Sequence, residues 1–209
     1  MHTYVARTWP WLCLSVLIFA AIASQQGSDA NWDFRNYHLY NGEAALGGRP
    51  SLDIAVAQQQ TYFNPTLDIA YALLRRALNG SPALLLAAMA VPQGVAAFLA
   101  WRIAVAVIPG TVPYKRLLAA LAVLFGATGA AGLPTLGTTM SEMVPACFML
   151  GGLLALVDGQ PGGRWRLAWA GLLFGVAAGL KLVLVTTGLG VGMALLLTPG
   201  RTLRQRAED

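Results

Sequence analysis

The side chains able to do chemistry are few and unevenly placed. Of nine acidic residues, five (Asp29, Asp33, Glu43, Asp53 and Asp68) fall between positions 29 and 68. Asp33, Tyr37 and Tyr40 or Asn41 recur at three- and four-residue spacing, so a helix puts them on one face. Carboxylates can take protons from hydroxyls, and cations can stabilise a departing anion. Much other chemistry is absent: there is no Walker A sequence, no GxGxxG after a strand, no HExxH and no CxxC pair. The two histidines, His2 and His38, cannot make a metal cluster between them, and nothing supports a nucleophilic triad. Carboxylates plus cations are what remain.

The elements that must position them lie in the one long polar segment, 25–81. It carries Trp32, Phe34, Tyr37, Tyr40, Tyr62, Phe63 and Tyr71, too aromatic for a disordered tail. Its first half predicts a helix over 31–46, opened by a cap at Asp29 or Asn31 and ended by Gly47-Gly48 before Arg49-Pro50. Pro65 disfavours helix at Asn64, and a second helix follows over 66–78. Leu67, Ala70, Tyr71 and Leu74 read as its apolar stripe, with Asp68, Arg75 and Arg76 off it. Such a helix is too short and too charged to span, and it suits a membrane surface.

Composition sets the surroundings. The 209 residues are 56% hydrophobic and only 11% charged, with mean hydropathy +0.59. Soluble domains carry about 25% charge, so a single soluble domain is excluded, as are disorder and a disulfide scaffold. Cys13 and Cys147 sit in apolar runs, where reduced thiols are expected. Apolar stretches at 10–24, 82–108, 117–133, 144–157 and 167–197 read as spans, the last being split into a hairpin near Lys181. The expected fold class is therefore all-α: a polytopic membrane helical bundle of about six spans, one transmembrane domain over 1–209, with an amphipathic helical first external loop. With both termini cytoplasmic, nine basic residues (Arg7, Arg102, Lys115, Arg116, Arg164, Arg166, Arg201, Arg204, Arg206) face three acidic ones inside. Outside, five basic residues meet six acidic ones, as the positive-inside bias requires. The first stretch could instead be a cleaved signal peptide, with Ala21-Ile22-Ala23 as the site; either way the segment from Gln25 is exported.

Three runs carry a resemblance. Trp32-Asp33-Phe34-Arg35-Asn36-Tyr37, then Ala44-Ala45-Leu46-Gly47-Gly48-Arg49, then Tyr62-Phe63-Asn64-Pro65 resemble the first external loop of GT-C-type integral-membrane glycosyltransferases. Gly175-Val176-Ala177-Ala178-Gly179-Leu180-Lys181 is similar to a small-residue span of those enzymes that ends in Lys. Asn64-Pro65 stands where better-known branches carry Pro-Pro. The resemblance implies hexosyl or pentosyl transfer from a polyprenyl-phosphate donor to an acceptor glycan, lipid or protein at the outer face of a bacterial inner membrane, with no nucleic-acid partner. It implies Asp33 as the base, with Tyr37 beside it. Lys181, then Arg49, would bind the phosphate. Asn64 joins the substrate-binding set, and Glu142 could assist with the acceptor or a divalent metal.

Each candidate has a plain structural rival. Asp33 can serve the helix dipole, and Asp29 an N-cap. Lys181 can snorkel from a span end, although charge within a membrane starts with a functional presumption. Arg75 and Arg76 suit lipid headgroups, and the aromatic side chains suit interfacial anchoring. Two other functions also fit the composition: a truncated, non-catalytic membrane subunit, and a small-solute transporter. Against the transporter, the sequence has no internal repeat, and its charges gather at one surface.

Overall fold

The computed structural model describes residues 8–27, 29–140, 142–157 and 163–197. The orientation argument also used Arg7, Asp158, Arg201, Arg204, Arg206, Glu208 and Asp209, which lie outside these. All regular structure among the described residues is helical, with no strand, so the all-α expectation holds. The chain divides into two compact units: Met1–Val95 with Ala127–Glu142, and Ala96–Gly126 with Met143–Asp209.

In the first unit, α1 (Trp9–Ser24) starts with Pro10 in its first turn, where a missing N–H costs nothing. Further along the chain, after the polar segment, α4 (Pro82–Met89) and α5 (Val91–Val107) follow one another with a break at Ala90. The break has a local cause: Pro92 has no N–H to donate back into the preceding turn. α1 packs on this pair through small residues. Ser15 Oγ donates to the Gly94 carbonyl at 2.8 Å, and a Cβ added at Gly94 would sit 2.5 Å from the Val16 Cα. Ala23, Leu86, Ala90 and Leu136 form the core, with Phe19 packed against it.

Leu136 comes from an irregular segment, 128–140, that folds into this unit. Buried Gln93 anchors it, donating to the Gly132 carbonyl at 3.1 Å and accepting from the Gly137 N–H at 3.4 Å. Gly137 has φ +71°, with the Leu86 carbonyl 3.1 Å from where a Cβ would be, so glycine is required there. Here the structure corrects the third expected stretch, 117–133. The helix α6 (Lys115–Ala127) stops at Ala127, because Gly129, Gly132 and Pro134 follow in quick succession and favour turns. Thirteen residues reach about 20 Å, short of a hydrocarbon layer of about 30 Å.

The second unit holds the rest of α5 and α6, then α7 (Met143–Val157) and α8 (Gly163–Leu180). α7 and α8 form a close pair, with Gly152 facing Phe174 and the Ala170 carbonyl. Trp101 Nε1–H donates to the Arg116 carbonyl at 3.2 Å, tying α5 to α6. At Lys181 the backbone turns extended (φ −144°, ψ 102°). A short 3-10 turn, Leu182–Leu184, then leads into α9 (Val185–Leu197). A Cβ at Gly188 would lie 3.8 Å from the Phe174 Cβ, so α9 folds back along α8 as the split at Lys181 anticipated. Neither Cys13 nor Cys147 is in a disulfide.

Among the described residues one helix, Pro82–Val107, is long and apolar enough to cross a membrane. Trp9–Ser24, Met143–Val157, Trp165–Leu180 and Leu182–Leu197 are shorter apolar helices. Two glycines give opposite expectations in thermal unfolding of the detergent-solubilised chain. Gly94→Ala forces a methyl into the α1 backbone and should cost about 1–3 kcal/mol. Gly171→Ala, with open space around its Cβ, should be neutral or slightly stabilising.

Candidate functional site

The polar segment folds as a helical hairpin within the first unit. Its first helical stretch is opened by Asn31, whose Oδ1 accepts the Phe34 N–H at 2.7 Å. Asp29 does a different job from the cap it could have been. Its Oδ1 accepts from the Asn31 N–H (3.1 Å) and Nδ2 (2.6 Å), and its Oδ2 from the Thr139 N–H and Oγ1 (both 2.7 Å). Both oxygens of Asp29 therefore hold structure, pinning the start of the hairpin to the 128–140 segment.

The helix over 31–46 is not uniform. Phe34–His38 is a π-helical turn, closed by the Leu39 N–H donating to the Phe34 carbonyl, and α2 (Leu39–Leu46) continues from it. Such wide turns are rare and concentrate at functional sites. Here two consecutive side chains, Tyr37 and His38, both find packing partners. Tyr37 meets Phe63 edge-on, with centroids 5.9 Å apart. His38 is buried against α3 (Thr66–Leu78), where its Nδ1 lies 2.6 Å from Asp68 Oδ1.

The α2–α3 contact is built along one face. Phe34 meets Tyr71 edge-on at 5.6 Å, His38 meets Asp68, and Gly42 lets the helices touch. A Cβ at Gly42 would overlap the Asp68 carbonyl and lie 3.2 Å from the Ala72 Cβ. The buried face of α3 is thus Asp68, Tyr71 and Ala72, while Ala70 is exposed. That differs from the apolar stripe read from the sequence, because His38 on the π-helical turn supplies a polar partner for Asp68. Arg75 and Arg76 likewise find Glu43 on α2, Arg75 at 3.5 Å, where lipid headgroups had been expected.

The other predicted residues separate clearly. Arg49 grips Asp53 with two hydrogen bonds of 2.7 Å, and the Tyr40 hydroxyl donates to the same carboxylate. Asp53 is accordingly held below the usual carboxylate value, by Arg49 first and then Tyr40. Arg49 is thus engaged within the hairpin. Asn64 Oδ1 accepts from the Thr66 N–H (3.0 Å) and Oγ1 (2.6 Å), fixing the turn that opens α3. The charges of Asp33 and Glu142 bear on Tyr37: burial first, then the charge and hydrogen bonding of Asp33, then the charges of Asp68 and Glu142, push the phenol up to about 12. Lys181 stands in the second unit, at the break between α8 and the 3-10 turn. Among the described residues no group of three or more His, Cys, Asp or Glu is placed to hold a metal ion.

Two residues escaped the sequence reading. In the sequence His38 bears only on metal binding, and Asp68 lies off the apolar stripe of its helix. Asn41, noted as a face neighbour of Tyr37, is buried; its Nδ2 donates to the Gln60 carbonyl at 2.8 Å. The available signal was register: Phe34, His38 and Asn41 or Gly42 recur at helical spacing, as do Asp68, Tyr71 and Ala72.

What this arrangement can do is orient a half-buried carboxylate, Asp33, next to a phenol that stays protonated. No protein-family model, curated protein or solved structure matches the chain.

The raised Tyr37 value carries a sign. The neutral phenol is favoured in the folded state, so its contribution is complete below the ordinary tyrosine range, about 10, and is lost as pH rises towards 12. In ultraviolet difference titration, Tyr37→Phe should remove the last tyrosine to ionise. Asp33→Asn should bring that step partway down, burial sustaining the remainder.

Proposed function

We propose that this chain is a membrane glycosyltransferase, or part of one, moving a sugar from a polyprenyl-phosphate donor to an acceptor hydroxyl at the extracytoplasmic face. The observation that carries this reading is a half-buried Asp33 at the head of the π-helical turn of a folded polar hairpin, its charge bearing on Tyr37 four residues on. The GT-C resemblance puts the base at Asp33. The apolar helices support a membrane setting, since they expose large side chains such as Leu17 on α1 and Leu189 on α9, as lipid-facing surfaces do. We further propose that the shorter apolar helices, together with α6, span with Pro82–Val107 in a bundle of about six, the bilayer thinning locally to their length.

The chemistry follows from the residues. Asp33 takes the proton of the acceptor hydroxyl, and the oxygen's electron pair attacks the anomeric carbon. The bond from that carbon to the phosphate oxygen breaks, its electrons leaving with the phosphate; attack opposite a single leaving group gives inversion. Tyr37 stays protonated under burial and the influence of Asp33, and is available as a neutral donor beside it. A cation must stabilise the departing phosphate; the resemblance names Lys181 first and Arg49 second for that, and within the hairpin Arg49 already holds Asp53.

The test is direct. In liposomes containing polyprenyl-phosphate sugars, the wild-type chain should release lipid phosphate and glycosylate an acceptor. Asp33→Asn should lower the rate by about 10²–10⁴-fold with membrane insertion and amount unchanged. Full transfer by that variant would remove the assignment of Asp33. Solute flux without any glycosidic product would favour transport instead.

A further inference from the structure

One buried titratable pair in the hairpin takes no part in the proposed transfer step. His38 Nδ1 and Asp68 Oδ1 are 2.6 Å apart, with side chains only 11% and 6% exposed. With the Asp68 carboxylate as acceptor, Nδ1 is the donor of this contact. Asp68 is the one hydrogen-bond partner of the imidazole among the described residues, and Nε2 is not sealed from solvent. A histidine fixed at Nδ1 by a carboxylate, with Nε2 bare, has the tautomer and orientation of a proton acceptor. His38 also stands five residues, one π-helical turn, after the proposed base. The Tyr37 ring lies 4.2 Å from the His38 ring, centroid to centroid, and Tyr37 bears on Asp33.

We propose that the His38–Asp68 pair is a proton relay that resets Asp33 after it has taken the acceptor's proton. This rests on the glycosyl-transfer reading. A protonated carboxyl cannot serve a second turnover, and imidazole is intrinsically the stronger base. The step is proton transfer alone. The O–H bond of the Asp33 carboxyl breaks and its electron pair stays on oxygen. An N–H bond forms at Nε2, and the imidazolium is paired with Asp68. The proton then leaves to water from the open edge of the ring. The charged and titratable groups bearing on this face are Asp33 and Tyr37 on the same turn, Asp68, Tyr71 and Arg75 on α3, and Glu142.

Two measurements test it on the full chain. His2 and His38 are the only histidines, so ¹⁵N-histidine labelling, with His2→Gln for assignment, reads the His38 ring directly. The relay requires a protonated Nδ1 and a bare Nε2, and Asp68→Asn should abolish that preference; a ring protonated at Nε2 overturns it. In the transfer assay, His38→Ala should lower kcat at least about tenfold with KM unchanged, and added imidazole should restore much of it. His38→Gln should be equally slow while preserving the helical signal. Wild-type kcat in His38→Ala, or a folded slow variant that imidazole does not rescue, overturns the relay while an inactive Asp33→Asn still upholds the glycosyl-transfer reading. Full transfer by Asp33→Asn overturns both.

Discussion

The hairpin depends on one buried polar contact, His38 with Asp68. Two groups that would otherwise be solvated are enclosed between helices, and each is tolerable there only because the other is present. Pairs of this kind add little net stability against an apolar replacement, but removing one partner strands the other, at about 3–5 kcal/mol. The contact therefore specifies geometry more than it adds strength. It fixes the rotation of the π-helical turn on α3, and that rotation decides where Tyr37 and Asp33 face.

Close packing makes the contact possible. Gly42 brings α2 against the Asp68 backbone, and Phe34 on Tyr71 closes one end. At the other end, Glu43 holds Arg75 and Arg76 at the edge of the hairpin. Asp29 ties the whole to the irregular segment through Thr139, which is almost completely buried. Gln93 fastens the same segment from the α5 side. Polar side chains thus satisfy the backbone of a non-helical stretch lodged among apolar helices, which an apolar environment demands.

Much of this was legible in the sequence, for physical reasons that also mark where legibility ended. Hydropathy found the long helix from Pro82 and the break at Lys181, since both are properties of a single stretch. It overran α6 because it scores alanine and glycine as apolar and ignores the backbone freedom of Gly129 and Gly132. Helical spacing placed Asp33, Tyr37 and Asn41 on one face, yet a π-helical turn is one extra residue in a loop of hydrogen bonds and leaves no composition signal. Asn31 and Asp29 were interchangeable as caps until Thr139, far along the chain, claimed Asp29. The same holds for Asp68, Arg75 and Arg76: read alone, α3 is a surface helix, and only the first helical stretch beside it buries Asp68 against His38 and pairs the two arginines with Glu43 at the edge. Arg49 looked available for phosphate because Asp53, four residues on, was not considered as its partner.

A double-mutant cycle on His38 and Asp68 addresses the central claim most directly. His38→Leu, Asp68→Leu and the pair would be compared by thermal unfolding in detergent. If the contact sets the hairpin, each single change destabilises strongly, and the double variant is more stable than the sum of the two by well over about 1 kcal/mol. Additive effects would contradict it, since they would mean that the two side chains do not depend on one another.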